Sequence, residues 1–505
     1  MDRRDFVKRV LFAGSFFSLS GMGLSRINVL KEKDMLTDIL NSFGLSEEDI
    51  KKLLSSSLEK GGDFSEIYLE NTVSTFLKYE EGILKKPEIN LSKGIGIRVV
   101  SGERFGYSYS ESFDMKDLES VAKTANKIIK SGLKKGVKGF KRKKKINRHY
   151  PEDIISDIKS ENKIKLLKEG YESVIGKKHV KRVSVSYADE IKVILIANSD
   201  GLMVYDIQPL LRYNIEIIGE RSGKRVRGYE GGGGRYGLDY FQIKTPEDIA
   251  NESFRQMSVQ LDAKDSPAGE MKVVLASGDS GILLHESIGH PLEADFNRKK
   301  TSAFSDRVGE KVACSDCTII DSGIIQGSRG SINIDDEGIE SSKTVLIEKG
   351  VLKGYMHDKI SGKYFKTKPT GNGRRESYEY YPLPRMTNTY LDKGKYVPEE
   401  IIRSVKKGIF VKNYSGGEVN ITNGDFVFKA TEAYMIENGK IGYPLKGVTL
   451  IGNGPDILTK IDMVGNDLKF SDGKWTCGKE GQSVPVGVGI PTVRIKKITV
   501  GGSSL

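Results

Sequence analysis

The segment Gly281–Phe296, GILLHESIGHPLEADF, holds two of the five histidines in a chain of 505 residues. His285 and His290 stand five residues apart, and Glu286 directly follows the first of them. Neutral imidazole is a preferred zinc ligand, and a neighbouring carboxylate can accept a proton from an attacking water. The segment is therefore a candidate for a catalytic zinc site.

The spacing HExxxH differs from the HExxH of zinc-peptidase helices, in which the two histidines lie four residues apart on one face. A step of five residues turns an ideal helix by roughly 500°, which leaves the two rings about 140° apart. The imidazoles can share a metal only if the helix ends or widens between them. A π-bulge, with its i→i+5 hydrogen bonds, would bring both rings onto one face, and Gly289 would let the last turn unwind. The alternative is two ordinary polar residues at the C-terminus of a helix.

The segment HESIGHPLEADF resembles the signature of the TldD/PmbA family of metallopeptidases, and in particular of its metal-bearing TldD branch. The resemblance runs from about residue 35 to the C-terminus and is densest after residue 270. Further stretches match this branch in the same order: GSINIDDEG (330–338), LIEKGVLKGYMHDK (346–359), PTGNGRRESY (369–378), PRMTNTY (384–390), EAYMIENGK (432–440) and CGKEGQSVPVGVGIPT (477–492).

Catalytic zinc usually takes three protein ligands and leaves a fourth position for water. The two histidines supply two ligands, and the residues alone leave Cys477, Glu293 and Asp295 as candidates for the third. The resemblance implies Cys477, because the cysteine of this motif is the third zinc ligand in the TldD branch. Glu293 and Asp295 would then have supporting roles. Glu286 is the candidate general base.

The other three histidines are expected to play no part in the site. His357 is interpreted as a histidine that is either hydrogen-bonded or exposed. His149 and His179 lie in basic sequence of the kind found on surfaces.

The resemblance implies a zinc-dependent metallopeptidase that hydrolyses short or unfolded peptides inside a dimer cavity. It further implies a homodimer, or a heterodimer with a PmbA/TldE-like subunit. The alternative is a non-catalytic PmbA-like partner subunit or a peptide-binding protein. Because the PmbA branch lacks the metal motif, an intact HExxxH together with Cys477 argues against that alternative.

The expected fold class is α+β. With 505 residues the chain should hold two or three domains, and its 57 glycines cluster in the turns that β-rich folds use. We expect an N-terminal α/β domain over residues 34–262. A β-rich, largely antiparallel and barrel-like domain over residues 263–505 should carry the metal-motif helix. The short polar segment DAKDSPAGE (262–270) separates them.

Several local patterns predict particular elements. Ser46 with Asp49 is typical of a capping box that opens a helix, and Thr245 with Pro246 is typical of the start of a second helix, which would have Asp248 in its first turn. Residues Val180–Tyr205 predict a hairpin with its turn at Asn198–Gly201. Residues 209–227 read as one further strand, and GYEGGGGRYG (228–237) as a flexible loop near the active site.

Residues 1–33 resemble a twin-arginine export signal. The run from Arg3 to Lys8, RRDFVK, is close to the usual SRRxFLK pattern. The weakly apolar stretch Val10–Leu24 is too short for a comfortable transmembrane helix, so no stable membrane span is expected once the signal is removed. The protein is expected in the periplasm or at the cell exterior. The alternative is a basic amphipathic N-terminus of a cytoplasmic protein.

The net charge is +12, and residues 134–148, KKGVKGFKRKKKINR, are dense in lysine and arginine. Such a cluster attracts phosphate, but it contains a single aromatic residue, Phe140, and no stacking pattern. We therefore interpret it as a solvated loop and expect no nucleic-acid partner.

The chain has three cysteines, too few for a disulfide framework. Cys314 and Cys317 form a CxxC without a second CxxC to complete a zinc ribbon. We expect them to be structural residues, and the alternatives are half a metal site, a redox pair or a strained disulfide.

Overall fold

A computed structural model describes residues 32–502, apart from 86, 128, 130–135, 143–147 and 150–158. Residues 1–31 of the twin-arginine-type segment lie outside the described residues, and so does part of the basic run 134–148. In the described part of the chain, every helix is too short or too polar to cross a bilayer.

The first half of the described chain folds into an eight-stranded sheet covered by helices. The strand order is β4-β3-β1-β6-β7-β5, with β2 beside β1 and β8 beside β7. The strands are β1 (Phe64–Glu80), β2 (Ile83–Leu84), β3 (Glu88–Ser101), β4 (Arg104–Ser110), β5 (Lys141–Arg142), β6 (Val180–Asn198), β7 (Leu202–Arg221) and β8 (Lys224–Gly234). The helices are α1 (Glu32–Ser42), α2 (Glu47–Ser57), α3 (Met115–Asn126), α4 (Ser160–Glu172), α5 (Tyr240–Ile243) and α6 (Pro246–Asp262).

Both predicted helix starts are present, and each is a full capping box. The Ser46 hydroxyl accepts the N–H of Asp49 and the Asp49 carboxylate accepts the N–H of Ser46, which opens α2. Thr245 and Asp248 make the same reciprocal pair at the start of α6. These bonds satisfy N–H groups that a helix N-terminus leaves free.

The hairpin predicted at residues 198–201 joins β6 to β7. The side-chain oxygen of Asn198 accepts the N–H groups of Asp200 and Leu202, both at 3.1 Å, and Gly201 has φ +90°. The prediction of a separate strand over 209–227 is wrong. β7 runs without a break from Leu202 to Arg221, because the alternation of buried and half-buried side chains continues through the whole stretch.

The prediction of a flexible loop at residues 228–237 is also wrong over most of its length. Gly231–Gly234 are buried and belong to β8, paired with β7. A Cβ on Gly232 would lie 1.7 Å from the hydroxyl of Tyr240. The glycines are therefore required by close packing, a use of glycine that sequence cannot distinguish from flexibility.

The second half, residues 263–502, contains a closed barrel. Strands β17, β10, β26, β20 and β18 pair in that order, and β18 pairs again with β17. A six-stranded sheet, β13-β12-β11-β16-β25-β22, lies beside it. Most pairs are antiparallel, with β10–β17, β16–β25 and β9–β19 parallel. The α+β class and the barrel-like second half are confirmed.

The elements of this half are many and short. The strands are β9 (Lys264–Asp265), β10 (Gly269–Leu275), β11 (Ile319–Ser322), β12 (Lys343–Glu348), β13 (Val351–Leu352), β14 (Gly373–Arg374), β15 (Leu383–Pro384), β16 (Asn388–Leu391), β17 (Lys407–Val419), β18 (Asp425–Glu437), β19 (Lys440–Lys446), β20 (Thr449–Asn453), β21 (Ile461–Val464), β22 (Lys469–Phe470), β23 (Thr476–Lys479), β24 (Gln482–Pro485), β25 (Gly487–Ile490) and β26 (Val493–Gly501). The α-helices are α7 (Gly281–Leu284), α8 (Ala294–Arg298), α9 (Lys359–Tyr364), α10 (Pro398–Arg403) and α11 (Gly454–Lys460).

The two largest apolar cores follow the same division of the chain, and a smaller cluster that includes Tyr68 and Ile334 spans it. One includes buried residues from Leu36 to Leu261, and the other includes buried residues from Val273 to Val500. These cores support our proposal of a domain boundary near residue 262.

A buried ion network joins the two halves. Arg98 on β3 contacts Glu66 on β1 at 3.0 Å, and it also pairs with Glu337 of the GSINIDDEG stretch. Arg375 contacts the other oxygen of Glu66 at 2.8 Å. All four side chains are buried, so removal of one would leave an unpaired charge out of water.

Candidate metal centre

The HExxxH segment changes helix type between its two histidines. After α7 ends at Leu284, residues His285–Gly289 form a π-helix and His290–Leu292 form a 3₁₀ turn. The backbone N–H of His290 donates to the carbonyl of His285, which is an i→i+5 bond. The two ring centroids lie 5.1 Å apart with their planes at 80°. The widening that a shared metal requires is therefore present.

Close packing explains why glycine stands at position 289. A Cβ on Gly289 would lie 2.0 Å from the Sδ of the buried Met386. On another side of the segment, a Cβ on Gly454, at the start of α11, would lie 2.3 Å from the carbonyl oxygen of Ser287. The π-turn is thus enclosed by neighbouring chain on at least two sides.

The three predicted ligands come together. His285, His290 and Cys477 each offer a ligand atom, and these atoms all lie within 4.8 Å of one another. All three residues are buried. Cys477 lies on β23 opposite Val484 of β24, in a two-stranded hairpin.

A carboxylate orients the ring of His290. Its Nδ1 donates to Oε2 of Glu293 at 3.0 Å, and its Nε2 lies 3.3 Å from the Sγ of Cys477. Lys479 donates to Glu293 at 3.1 Å and to Asp295 at 2.7 Å. Both carboxylates considered as alternative ligands are therefore paired with a buried ammonium, and Nε2 of His290 is the nitrogen that faces the thiol.

The charges in the centre favour a thiolate. Burial raises the pKa of Cys477, but the positive charges of His290 and His285 outweigh it and hold this pKa well below its usual value. Burial likewise opposes ionisation of Glu293, yet Lys479 and His290 lower its pKa to about 2. Thiolate, and not thiol, is the form that binds zinc.

Glu286 differs from its neighbours in exposure. It is the one residue from Gly281 to Asp295 that is not buried, and its side chain is 21% exposed. One of its carboxylate oxygens lies 3.8 Å from Nε2 of His290. Burial raises the pKa of Glu286, a shift that the charges of the two histidines oppose. A proton acceptor thus lies where solvent reaches the buried ligand group.

The chemistry of this donor set fits zinc. Two imidazoles and a thiolate are borderline-to-soft donors of the kind that catalytic zinc sites use. Nδ1 of His285 is buried and makes no hydrogen bond to any described residue. A buried ring nitrogen without a hydrogen bond costs stability.

The remaining histidines lie outside the ligand group found among the described residues. His357 packs against the rings of Tyr355 and Phe365. His149 is not the surface residue that its basic neighbours predicted. It is buried, and its Nε2 lies 3.0 Å from the carbonyl oxygen of Gly323 in the other half of the chain. Because this contact with a distant segment buries His149, the basic residues next to it in sequence did not predict its exposure.

Three family models together cover most of the chain. They are described as the C-terminal domain, the central domain and domain 1 of the PmbA/TldA metallopeptidases, and they match residues 268–502, 153–261 and 65–129. The chain belongs to the TldD/PmbA family of metallopeptidases. The metal centre described above lies wholly within the C-terminal of the three matched regions.

Relatives within the TldD/PmbA family span nearly the full chain. A metalloprotease TldD homolog of Haemophilus influenzae is 41% identical over 92% of this chain and 98% of its own length. A zinc metalloprotease TldD homolog of Saccharolobus solfataricus is 28% identical over 89% and 99%. Among solved structures, TldE from Thermococcus kodakarensis is 20% identical, with a TM-score of 0.71 over 90% of this chain and 100% of that one, which supports the fold.

Sequence reasoning gave no role to two residues that support the centre. Lys479 pairs with both carboxylates, and Arg385 donates from Nη2 to the carbonyl of Cys477 at 2.6 Å. The role of Lys479 could have been predicted from the sequence. Lys479 lies two residues after Cys477, and residues two apart on a strand point to the same face. Nothing in the local pattern around Arg385 indicates its partner, 92 positions away.

Proposed function

We propose that this metallopeptidase is zinc-dependent, with His285, His290 and Cys477 as ligands and Glu286 as the general base. The observation that supports it best is the placement of a partly exposed Glu286 beside three buried donors. The printed name of the Saccharolobus solfataricus relative also includes zinc. Zinc held by these donors would supply a Lewis acid that polarises a peptide carbonyl and makes water more acidic.

The protein's own groups divide the remaining work. Glu286 would accept a proton from the water that attacks the peptide carbonyl, and would return that proton to the leaving amine. Glu293 would hold the ring of His290 with Nε2 turned toward Cys477. Lys479 would keep Glu293 ionised, and Arg385 would fix the backbone of β23 at Cys477.

Replacement of Glu286 by glutamine tests this division of roles. Glu286→Gln removes proton transfer and leaves the ligands, so we expect stoichiometric zinc with peptide cleavage reduced about 10²–10⁴-fold. Glu399→Gln, an exposed glutamate at the start of α10, is the matched control and should keep full turnover. Cleavage that is unaffected by Glu286→Gln, or by removal of metal with a chelator, would exclude the proposed chemistry.

We propose that the substrates are short or unfolded peptides and that the enzyme works as a dimer around a shared cavity. The partner would be a second copy or a PmbA/TldE-like subunit. The resemblance to the TldD branch and the likeness of fold to TldE support this. Light scattering under assay conditions should give the mass of a dimer. A substrate protein that has been unfolded by carboxymethylation should be cleaved, and the same protein in its native form should not. A fully active monomer would contradict the dimer cavity.

We propose export by the twin-arginine route. Replacement of both Arg3 and Arg4 by lysine conserves charge and should leave the protein inside the cell. Replacement of Lys31 and Lys33 by arginine is the matched control and should leave export unchanged. Export of the double lysine variant at the normal level would refute the assignment.

A further inference from the structure

Cys314 and Cys317 form a second thiol cluster, outside the metal-ligand group. Their sulfur atoms lie 3.0 Å apart. Cys314 is half-buried and Cys317 is fully buried, so solvent reaches the first thiol and not the second. The sequence alone favours a packing role for both residues, but packing does not require two sulfurs in contact.

The loop that carries the pair is held from both sides. The N–H of Cys317 donates to the carbonyl of Cys314 at 3.0 Å, which closes a turn. Gly350, at φ +84°, donates to the carbonyl of Cys317 and accepts from the N–H of Val312, both at 2.8 Å. The N–H of Cys314 donates to Leu458 of α11 at 3.1 Å. The two sulfurs are therefore placed in advance, with little chain movement needed to join them.

The surroundings give the two thiols different chemistry. A hydrogen bond from the Cys317 thiol lowers the pKa of Cys314 to about 7, although burial opposes the shift. Backbone N–H groups of Asp316 and Cys317 add to the effect. The same hydrogen bond, together with burial, raises the pKa of Cys317 far above its usual value. At neutral pH Cys314 is therefore substantially thiolate and Cys317 is thiol, a difference typical of reactive CxxC pairs.

We propose that Cys314 and Cys317 form a thiol–disulfide exchange site for small disulfides, with Cys314 as the attacking thiolate and Cys317 as the resolving thiol. Because Cys314 is only partly exposed within a fixed turn, a compact disulfide such as that of a glutathione-sized thiol fits better than a buried bond in a folded protein. This site lies beyond the peptidase chemistry and does not depend on it.

The thiol–disulfide exchange proceeds in two steps. Cys314 thiolate attacks one sulfur of glutathione disulfide, an S–S bond breaks, and one glutathione thiolate leaves while Cys314 becomes a mixed disulfide. The sulfur of Cys317 then attacks the Cys314 sulfur, and its proton passes to the second glutathione as that thiolate leaves. The pair loses two electrons and becomes an intramolecular disulfide, and one glutathione disulfide is reduced to two thiols.

The test uses the full chain, glutathione disulfide and site-resolved mass spectrometry, which separates these two cysteines from Cys477. In the wild type we expect an intramolecular Cys314–Cys317 disulfide that excess reduced glutathione reverses. Cys317→Ser should stop at glutathione on Cys314, and Cys314→Ser should block modification of Cys317. Both variants should keep peptide cleavage, since neither residue lies in the metal centre.

A second readout measures the reactivity of Cys314 itself. The rate at which iodoacetamide labels Cys314 should rise through a midpoint near pH 7, and Cys317→Ala, which removes the hydrogen-bond donor, should move that midpoint toward the usual thiol value of about 8.5. A wild-type midpoint near 8.5, or a mixed disulfide that accumulates in the wild type without closing, would overturn the proposal.

Discussion

The backbone N–H of His290 donates to the carbonyl oxygen of His285, five residues earlier. That one bond replaces the i→i+4 pattern of an α-helix and brings two rings together that an ideal helix would hold about 140° apart. The HExxxH spacing therefore depends on a local π-turn, and the π-turn depends in turn on space around Gly289.

Gly289→Ala should destabilise the π-turn. The added Cβ would lie 2.0 Å from Sδ of Met386 in a filled core, and overpacking of this kind costs about 1–3 kcal/mol. We expect lower unfolding free energy in urea, together with weaker zinc binding. Gly354→Ala is the matched control, since no atom lies within 4 Å of its new Cβ. Unchanged zinc affinity in Gly289→Ala would show that the π-turn tolerates the methyl group.

The sequence indicated a π-turn as one of the few geometries in which two histidines at this spacing can share a metal. Two helix starts and the hairpin at residue 200 were predicted for a similar reason, since each depends on contacts within a few residues. The four consecutive glycines of β8 were misread as a loop, because groups that pack against them lie elsewhere in the chain, such as the carbonyl of Leu211 against Gly233 and that of Gly327 against Gly234. The roles of Lys479 and Arg385, and the burial of His149, also depend on partners far away in sequence.

Glu293→Gln should weaken zinc binding without loss of a ligand. The charge that orients His290 and pairs with Lys479 is removed, and such supporting carboxylates typically contribute about 10–100-fold in metal affinity. Asp295→Asn is the matched control, because Asp295 also pairs with Lys479 but makes no hydrogen bond to His290 among those described. Competition against a chromophoric chelator measures both. Equal losses in the two variants would mean that Lys479, and not the orientation of His290, determines affinity.

Acid should destabilise the fold partly through His149. Burial, followed by the charge of Arg235, lowers the pKa of His149 to about 4. The imidazole takes up a proton near pH 6.5 in the unfolded chain and only near pH 4 in the folded chain. The contribution of neutral His149 to the free energy of unfolding is therefore complete above pH 6.5 and is lost as the pH falls toward 4. Between pH 7 and 4.5 the loss from this group should be about 2 kcal/mol.

His149→Gln removes the titrating group, so its unfolding free energy should fall less than that of the wild type over the same pH range. Urea unfolding at pH 7 and pH 4.5 gives the difference, and effects common to both proteins cancel. His357, whose pKa burial also lowers to about 4, should behave in the same way when replaced by glutamine. An identical pH dependence in the wild type and His149→Gln would contradict the assignment.

The zinc content of Cys477→Ser tests the metal centre most directly. A serine hydroxyl nearly matches the thiol in size but is a much poorer zinc ligand, so packing is kept while a ligand is lost. We predict about one zinc per chain in the wild type and in the matched control Cys314→Ser, and loss of both zinc and peptide cleavage in Cys477→Ser. Stoichiometric zinc with unchanged affinity and activity in Cys477→Ser would contradict the account. Glu293 or Asp295 would then be the third ligand, in a site of two histidines and one carboxylate.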